Sequence, residues 1–213
     1  MERALRSTER PLIVDVGSGN GRFASWLREA SAIAFRALCL DACLPLLRCA
    51  PAAAGQRALA DVVDTRGRLP LAAASCEAIV LMGVLHHVPS TELRAHLVRS
   101  AANALRPGGI LAVTVWRFAD RDRFRARLAP WSLCPRVPSE QLEKGDHLLR
   151  WGASGGGDAL RYCHHAQPKE FERVATNAKL EPVESWVADG QSGDFNTYHL
   201  WRRAGDPVAP YGS

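Results

Sequence analysis

The sequence predicts an α/β fold: an open sheet of about seven strands, mostly parallel, ending in an antiparallel C-terminal hairpin, with helices on both faces. Three observations predict it. Strand-like and helix-like segments alternate over the first ~115 residues, the rhythm of parallel strands joined by right-handed crossovers. The first strand runs straight into a glycine-rich turn and a helix, in "VDVGSGNGRF" (14–23). The last two strand-like runs, "EPVESWVAD" and "FNTYHLWRR", have no helix between them, only a turn around Gly190–Asp194.

Each element has its own signal. "PLIVDVG" is a short apolar strand ending in a turn. Residues 21–31 suit a helix with Phe23, Trp26 and Leu27 on one face. "FRALCLD" (35–41) is a second strand, "CLPLLRCA" a short helix and "QRALAD" (56–61) a third strand. "CEAIVLM" (76–82) is apolar enough for the sheet centre. Residues 90–105 form a helix with Leu93, Leu97, Ala101 and Leu105 spaced by four, capped by Ser90 or Thr91. "RPGG" (106–109) ends it, and "ILAVTVW" (110–116) is a fifth strand. Residues 117–160, with three prolines and "SGGG" at 154–157, break the rhythm and read as an inserted cap or mobile segment. "PKEFERVATNAKL" (168–180) returns to helix, and the tail from Gly205 is expected to be loose.

Bulk properties bound the function. A chain of 213 residues with 47% hydrophobic content suits one domain over 1–213, elaborated by the insertion at about 117–160. The charged start "MERALRSTER" lacks a signal-peptide core, and the apolar run Ala78–Leu85 is too short to span a bilayer, so no membrane association is expected. The six cysteines show no paired CxxC spacing. Cys39 and Cys43 resemble half of a zinc site, but no suitable His or Cys pair follows. They read as reduced, mostly buried thiols of a cytoplasmic protein, with no metal site. A net charge of +5 is a modest bias toward anionic partners. Six arginines lie between Arg117 and Arg136 against two acids, with Phe118, Phe124 and Trp131 interleaved. Arginine among aromatics suits phosphate binding with base stacking, and equally a solvated face over buried rings.

The glycine turn lets a ligand touch the backbone beside a helix N-terminus. Asp41 ends the second strand 20 residues after Gly21, where an acid can accept the ribose hydroxyls of a nucleoside cofactor. A nicotinamide site shares that spacing. Two details tip the choice. The loop is GxGxG, and Asp15 stands at the end of the first strand, where it would repel a pyrophosphate but suit a cofactor carrying an ammonium and a sulfonium. S-adenosyl-L-methionine meets both requirements.

Asp15–Gly21, Asp41, "EAIVLM" and "LRPGGILAVTVW" together resemble the Rossmann-like class I S-adenosylmethionine-dependent methyltransferases. The resemblance implies that Gly17, Ser18, Gly19 and Gly21 approach the methionyl part and that Asp41 holds the ribose. Asp61, or Asp64 one turn on, would meet the adenine, with Ala42, Val62 and Met82 alongside. "VLHHV" (84–88), "VTVW" (113–116), "GDHLLRW" (145–151) and "RYCHHA" (161–166) are further similar to the tRNA wobble-uridine carboxymethyl methyltransferases, which esterify 5-carboxymethyluridine. Arg150 stands where that family has proline, Cys163 where it has a second aromatic, and His165 and Ala166 where it has apolar residues. The family also carries a helical segment ahead of the first strand. Here 11 residues precede Leu12, so the expectation is a shortened chain or a lid supplied by another segment or partner.

A carboxylate with a pKa near ~4 is ionised at neutral pH and needs no base to attack a methyl group. Arg161 would clamp the carboxylate or a phosphate, Tyr162 would stack on or bond the base, and His86 and His87 would line the pocket or, failing that, supply a base. Trp116, Trp151 and His164 would contact the substrate, and Arg121, Arg123 and Arg125 the RNA backbone. The implied partners are tRNA and a small zinc-binding methyltransferase activator subunit. Two other readings stand beside this one: a methyltransferase for a small acid or phenol, with the insertion as a lid, and a noncatalytic partner-binding domain.

Overall fold

A computed structural model describes residues 10–152, 159–167, 169–189 and 193–205. The "SGGG" stretch, the turn at 190–192 and the tail from 206 lie outside these residues.

The main sheet has seven strands in the order β3-β2-β1-β4-β5-β10-β9. These are β1 (Leu12–Val16), β2 (Arg36–Asp41), β3 (Gln56–Leu59), β4 (Cys76–Leu81), β5 (Leu105–Trp116), β9 (Leu180–Ala188) and β10 (Asn196–Arg203). The first five pair in parallel, and β10 is antiparallel to both β5 and β9. The expected seven-strand α/β sheet is therefore present. Strand β5 starts at Leu105, earlier than the 110–116 expected, with a register shift opposite Cys76–Ala78 beside the Pro-Gly-Gly run.

Alternation sorts the side chains into two cores. Ile13, Ala37 and Ala78 pack with α1 (Arg22–Ala30) and α2 (Leu44–Cys49) on one face. Val14, Val16, Ile79, Leu81 and Leu111 pack with α3 (Thr91–Ala104) and α5 (Glu170–Asn177) on the other. Strand β4 is buried along its whole length, as an apolar central strand must be. Ser90 caps α3, accepting a bond from the Leu93 N–H at 3.2 Å. Among the described residues, no helix is long and apolar enough to cross a membrane.

The described residues of the insertion take the form of a cap, one of the two alternatives expected. It contains the short α4 (Asp122–Arg125) and a second sheet, in the order β6 (Leu128–Ala129), β7 (Asp146–Trp151), β8 (Ala159–His164). Its sheet runs past the expected boundary at 160, so "RYCHH" belongs to it. A third core of Trp116, Phe118, Phe124, Leu149 and Cys163 joins it to the end of β5.

Candidate active site

Strand order reverses between β1 and β4, so their carboxyl ends flank the crevice where open α/β sheets bind ligands. The glycine turn follows β1 and "GVLHHV" follows β4, which places both motifs at that crevice.

The turn is shaped by backbone needs. Gly17, Gly19 and Gly21 have φ of 70°, 56° and 74°, a region that side chains resist. They differ in what a Cβ would meet. On Gly17 it would run into the Val84 side chain, and on Gly21 it would approach the Ala54 Cβ at 2.6 Å. On Gly19 it would meet nothing within 4 Å. Gly21 therefore serves the packing of α1, and not the ligand contact expected of it. Gly19 faces the space that a ligand fills.

Asp41 ties this turn down. Its carboxylate accepts the Gly19 N–H and the Cys43 N–H, both at 2.7 Å. Each oxygen keeps a further lone pair for a ribose hydroxyl. Asp15 is the reverse case. It is buried, its Oδ2 has no partner among the described residues, and its carboxyl is pushed up to about 7 by burial and then by Asp41. The Ser18 hydroxyl is also buried, with the Cys39 thiol beside it and no other polar partner among the described residues. An orphaned buried carboxylate beside a second acid calls for a cationic donor, and disfavours a phosphate.

Two cavities flank the turn. One is lined by Asp15, Gly17, Ser18, Gly19 and Met82, together with Asn20, Arg22, Phe23 and Trp26. The other is lined by Gly17, Asp41, Ala42, Asp61, Val62 and His87. Of the two candidate acids, Asp61 lines this cavity and accepts the Val63 N–H at 2.8 Å, whereas Asp64 is exposed and not on its wall. The donor set fits S-adenosyl-L-methionine, with Asp15 toward an ammonium and Asp41 toward a ribose.

A third and larger cavity, about 850 Å³, opens beside Met82 and Gly83. Its position follows from the sheet. Ala112, Thr114 and Trp116 alternate onto the face that α1 covers, and α1 does not extend over β10 and β9. The insertion closes over this gap. Trp116, Trp151, Phe124 and Phe195 form ring-to-ring contacts around it, with Trp116 at 4.7–6.2 Å from the other three. Arg161 lines the same cavity, its guanidinium 4.0 Å above the Trp151 ring, and no acid pairs with it among the described residues.

His86 and His87 lie between the cavities with ring centroids 4.2 Å apart. Burial lowers His86 well below its usual pKa, helped by His87 and then Arg161. Burial lowers His87 as well, with Arg161 adding to it against a bond to Tyr162. His87 Nδ1 lies 3.0 Å from the Tyr162 carbonyl, which fixes the proton on Nδ1 and leaves Nε2 as acceptor. Both rings are neutral at pH 7.

Several expected substrate residues stand elsewhere. Tyr162 does not face the cavity; its hydroxyl donates to Asp146 at 2.7 Å. His164 is buried between Asp146 at 2.7 Å and Glu170 at 2.9 Å, and burial, which opposes its charge, is outweighed by those two acids, so its pKa is raised. Arg94, fully buried, completes this network with bonds to Glu143 at 2.6 Å and Glu170 at 3.1 Å. The network ties α3 and α5 to the small sheet, so "GDHLLRW" and "RYCHH" supply struts as well as the pocket wall. Glu143, Asp146 and His164 bring ligand-type atoms within 4.8 Å of one another, but Arg94 bonds Glu143, and Tyr162 and His164 both bond Asp146, so those positions are already engaged. In the basic stretch, Arg121 pairs with Asp194, Arg125 with Asp122 and Arg117 with Asp120. Only Arg123, of the three arginines expected to hold RNA, has no acid partner among the described residues; it covers the Phe124 and Phe195 rings at 4.6 and 5.1 Å.

Residues 14–113 match the family described as "Methyltransferase domain". The probable tRNA methyltransferase 9B of Mus musculus is 29% identical over 166 residues, 76% of this chain and 32% of that protein. The chain thus spans about a third of the length of this curated relative. A Methanosarcina mazei S-adenosylmethionine-dependent methyltransferase superposes with TM-score 0.69 at 17% identity, covering 93% of this chain and 95% of that one. A putative Haloferax volcanii methyltransferase, solved with the Trm112 methyltransferase activator, gives 0.64 at 14% identity, covering 98% and 90%. The fold is that of these solved methyltransferases, and S-adenosyl-L-methionine is the cofactor whose groups the donor set of the cradle fits.

Proposed function

We propose that this chain, which has the fold and cofactor cradle of a class I S-adenosylmethionine-dependent methyltransferase, esterifies the carboxylate of 5-carboxymethyluridine at the wobble position of tRNA. One observation carries the substrate class. Arg161 is a cation without an acid partner among the described residues, set in a cavity walled by aromatic rings and two neutral histidines. Such a site favours a planar substrate bearing a negative charge. The tRNA methyltransferase 9B relatives point the same way.

When bound, the cofactor supplies an electrophilic methyl group. The chain's own residues orient and dehydrate the acceptor. Arg161 holds the carboxylate by two parallel N–H bonds, and Trp151 under it fixes the guanidinium plane. The ring-lined wall excludes water, which would otherwise shield the nucleophile. Neither histidine moves a proton, because a carboxylate arrives ionised. They wall the passage between cofactor and acceptor.

tRNA and a small activator subunit are the proposed partners, and the cytoplasm the proposed compartment. Strand β3 is an edge of the main sheet, with Leu59, Leu44 and Leu46 exposed near it, a surface suited to such a subunit. A small aromatic acid would also satisfy Arg161 and the rings, and is the competing reading.

Mass spectrometry of tRNA nucleosides from cells lacking the protein should show the free acid in place of the methyl ester. With purified protein, Arg161→Lys should keep cofactor affinity and lose about 10- to 100-fold in rate on carboxymethyluridine tRNA, the worth of a charge-assisted bond felt in the transition state. Full activity of that variant would remove the clamp. An unchanged nucleoside profile, with turnover of a small aromatic acid, would transfer the assignment to the competing reading.

A further inference from the structure

The aromatic floor of the large cavity continues well past the residues that a single target base needs. The strand register lays it out: Thr114 on β5 stands opposite Tyr198 on β10, and Tyr198 opposite Trp186 on β9. These three side chains therefore share one row on one sheet face. The Trp186 and Tyr198 rings are parallel within 7°, with centroids 5.1 Å apart. Both line the cavity, and Trp186 remains 39% exposed at its outer edge. Two strand spacings, about 10 Å, separate this edge from the β5 side, where Thr114 accepts the Gly83 N–H.

The pair is also preformed. The Tyr198 hydroxyl bonds to Asp189, which accepts a second bond from Asn196 Nδ2 at 2.9 Å. Burial and Asp189 push the phenol up to about 12, so the ring is neutral and held in place. Asp189 makes the spot unsuited to phosphate. It suits the uncharged face of a base, and the Arg123 guanidinium over Phe195 adds positive charge on the cavity's other rim.

We propose that the Trp186–Tyr198 pair is a second ring-binding subsite, which stacks the nucleobase adjacent to the target uridine in single-stranded RNA. It rests on the RNA reading above. Stacking on a rigid aromatic side chain contributes affinity without regard to base identity, so the subsite would help select for a polynucleotide over a free nucleoside.

The test uses short single-stranded RNAs centred on uridine, either intact or abasic on one side of it, with affinity read by fluorescence anisotropy. Abasic substitution on one side should weaken binding to the natural protein by on the order of 10-fold. Trp186→Ala should erase that difference, and Trp186→Phe should retain most of it. S-adenosylhomocysteine affinity in both variants checks that the fold is intact. An abasic penalty that persists at full size in Trp186→Ala, or its absence on both sides in the natural protein, overturns the subsite and leaves the RNA reading standing. Failure to bind any of the RNAs, with S-adenosylhomocysteine still bound, overturns both.

Discussion

The cofactor half and the substrate half of the crevice are built on different principles. The cofactor side is built mainly by one local segment, residues 15–43, with Gly17 and Gly19 at positive φ, two acids on neighbouring parallel strands and loop N–H groups, and Asp61 and Met82 add to it from other strand ends. The substrate side is made by side chains from α1, the end of β5, the inserted sheet and the C-terminal hairpin. A site of the first kind is held by strands that are buried for other reasons. The second needs its own fastening. Arg94 provides it, joining α3 to Glu143 of the insertion and to Glu170 of α5.

The sharpest way to break this contrast is to cut the fastening. Arg94→Ala leaves two acids facing a buried void, and removal of one member of a buried ionic network costs about 3–5 kcal/mol. Urea unfolding should show a loss of that size. S-adenosylhomocysteine affinity, measured where the variant is still folded, should change less, because Arg94 reaches the cradle only through the Val88 carbonyl, at 3.0 Å on the wall of the Asp41–Asp61 cavity. A loss under about 1 kcal/mol would make the network incidental. An equal loss of cofactor affinity would show that the halves are not independent.

The contrast also sets what could be read in advance. Asp15, the glycine turn and Asp41 were legible because a local pattern carries their whole geometry. Strand β4 was legible because a fully buried parallel strand is apolar throughout. The wall of the large cavity was legible only in part. Trp116, Trp151 and Arg161 lie on it, but Phe124, Phe195, Trp186 and Tyr198 come from segments whose meeting is decided by sheet order. Their one signal was the alternation in the C-terminal strands, which puts Tyr198 and Trp186 on a common face once the hairpin register is known. His164 and Tyr162 were misread because a histidine and a tyrosine serve equally well as ligands of a substrate or of buried acids. Only the positions of Asp146 and Glu170 distinguish the two. Gly21 was misread because a loop glycine required by helix packing looks the same as one required by a ligand.

The cradle should respond to pH through Asp15. In the free protein its carboxyl titrates at about 7, far above the usual range, because burial and then Asp41 oppose its charge. A cationic group bound beside it favours the ionised form, so binding must release a proton wherever the free carboxyl is protonated. S-adenosylhomocysteine affinity should therefore fall as pH drops below about 7, approaching tenfold per pH unit, and flatten above it. Calorimetry in buffers of different ionisation enthalpy reads the proton directly. Asp15→Asn should abolish the slope and weaken binding by roughly 1.5–3 kcal/mol near neutrality. A pH-independent affinity in the natural protein would mean that no cation docks at Asp15.

The smallest expected effect separates the arginines on the substrate rim. Arg121 and Arg125 are paired with Asp194 and Asp122, whereas Arg123 and Arg127 lie over the Phe124 ring and have no acid partner among the described residues. A phosphate gains less from a guanidinium that must first leave a carboxylate. Surface pairs are weak, so the difference is one of degree. Changing Arg123 and Arg127 together to Gln should flatten the salt dependence of tRNA binding by about 0.7–0.9 log units for each phosphate that is no longer neutralised. The matching double change at Arg121 and Arg125 should flatten it less, while the negative charges of Asp122 and Asp194, no longer offset by these two arginines, lower affinity at low salt. Cofactor affinity should be the same in both double variants, since none of these side chains lines the cradle. Equal slopes for both double variants would dissolve the distinction and leave the stretch an ordinary basic surface.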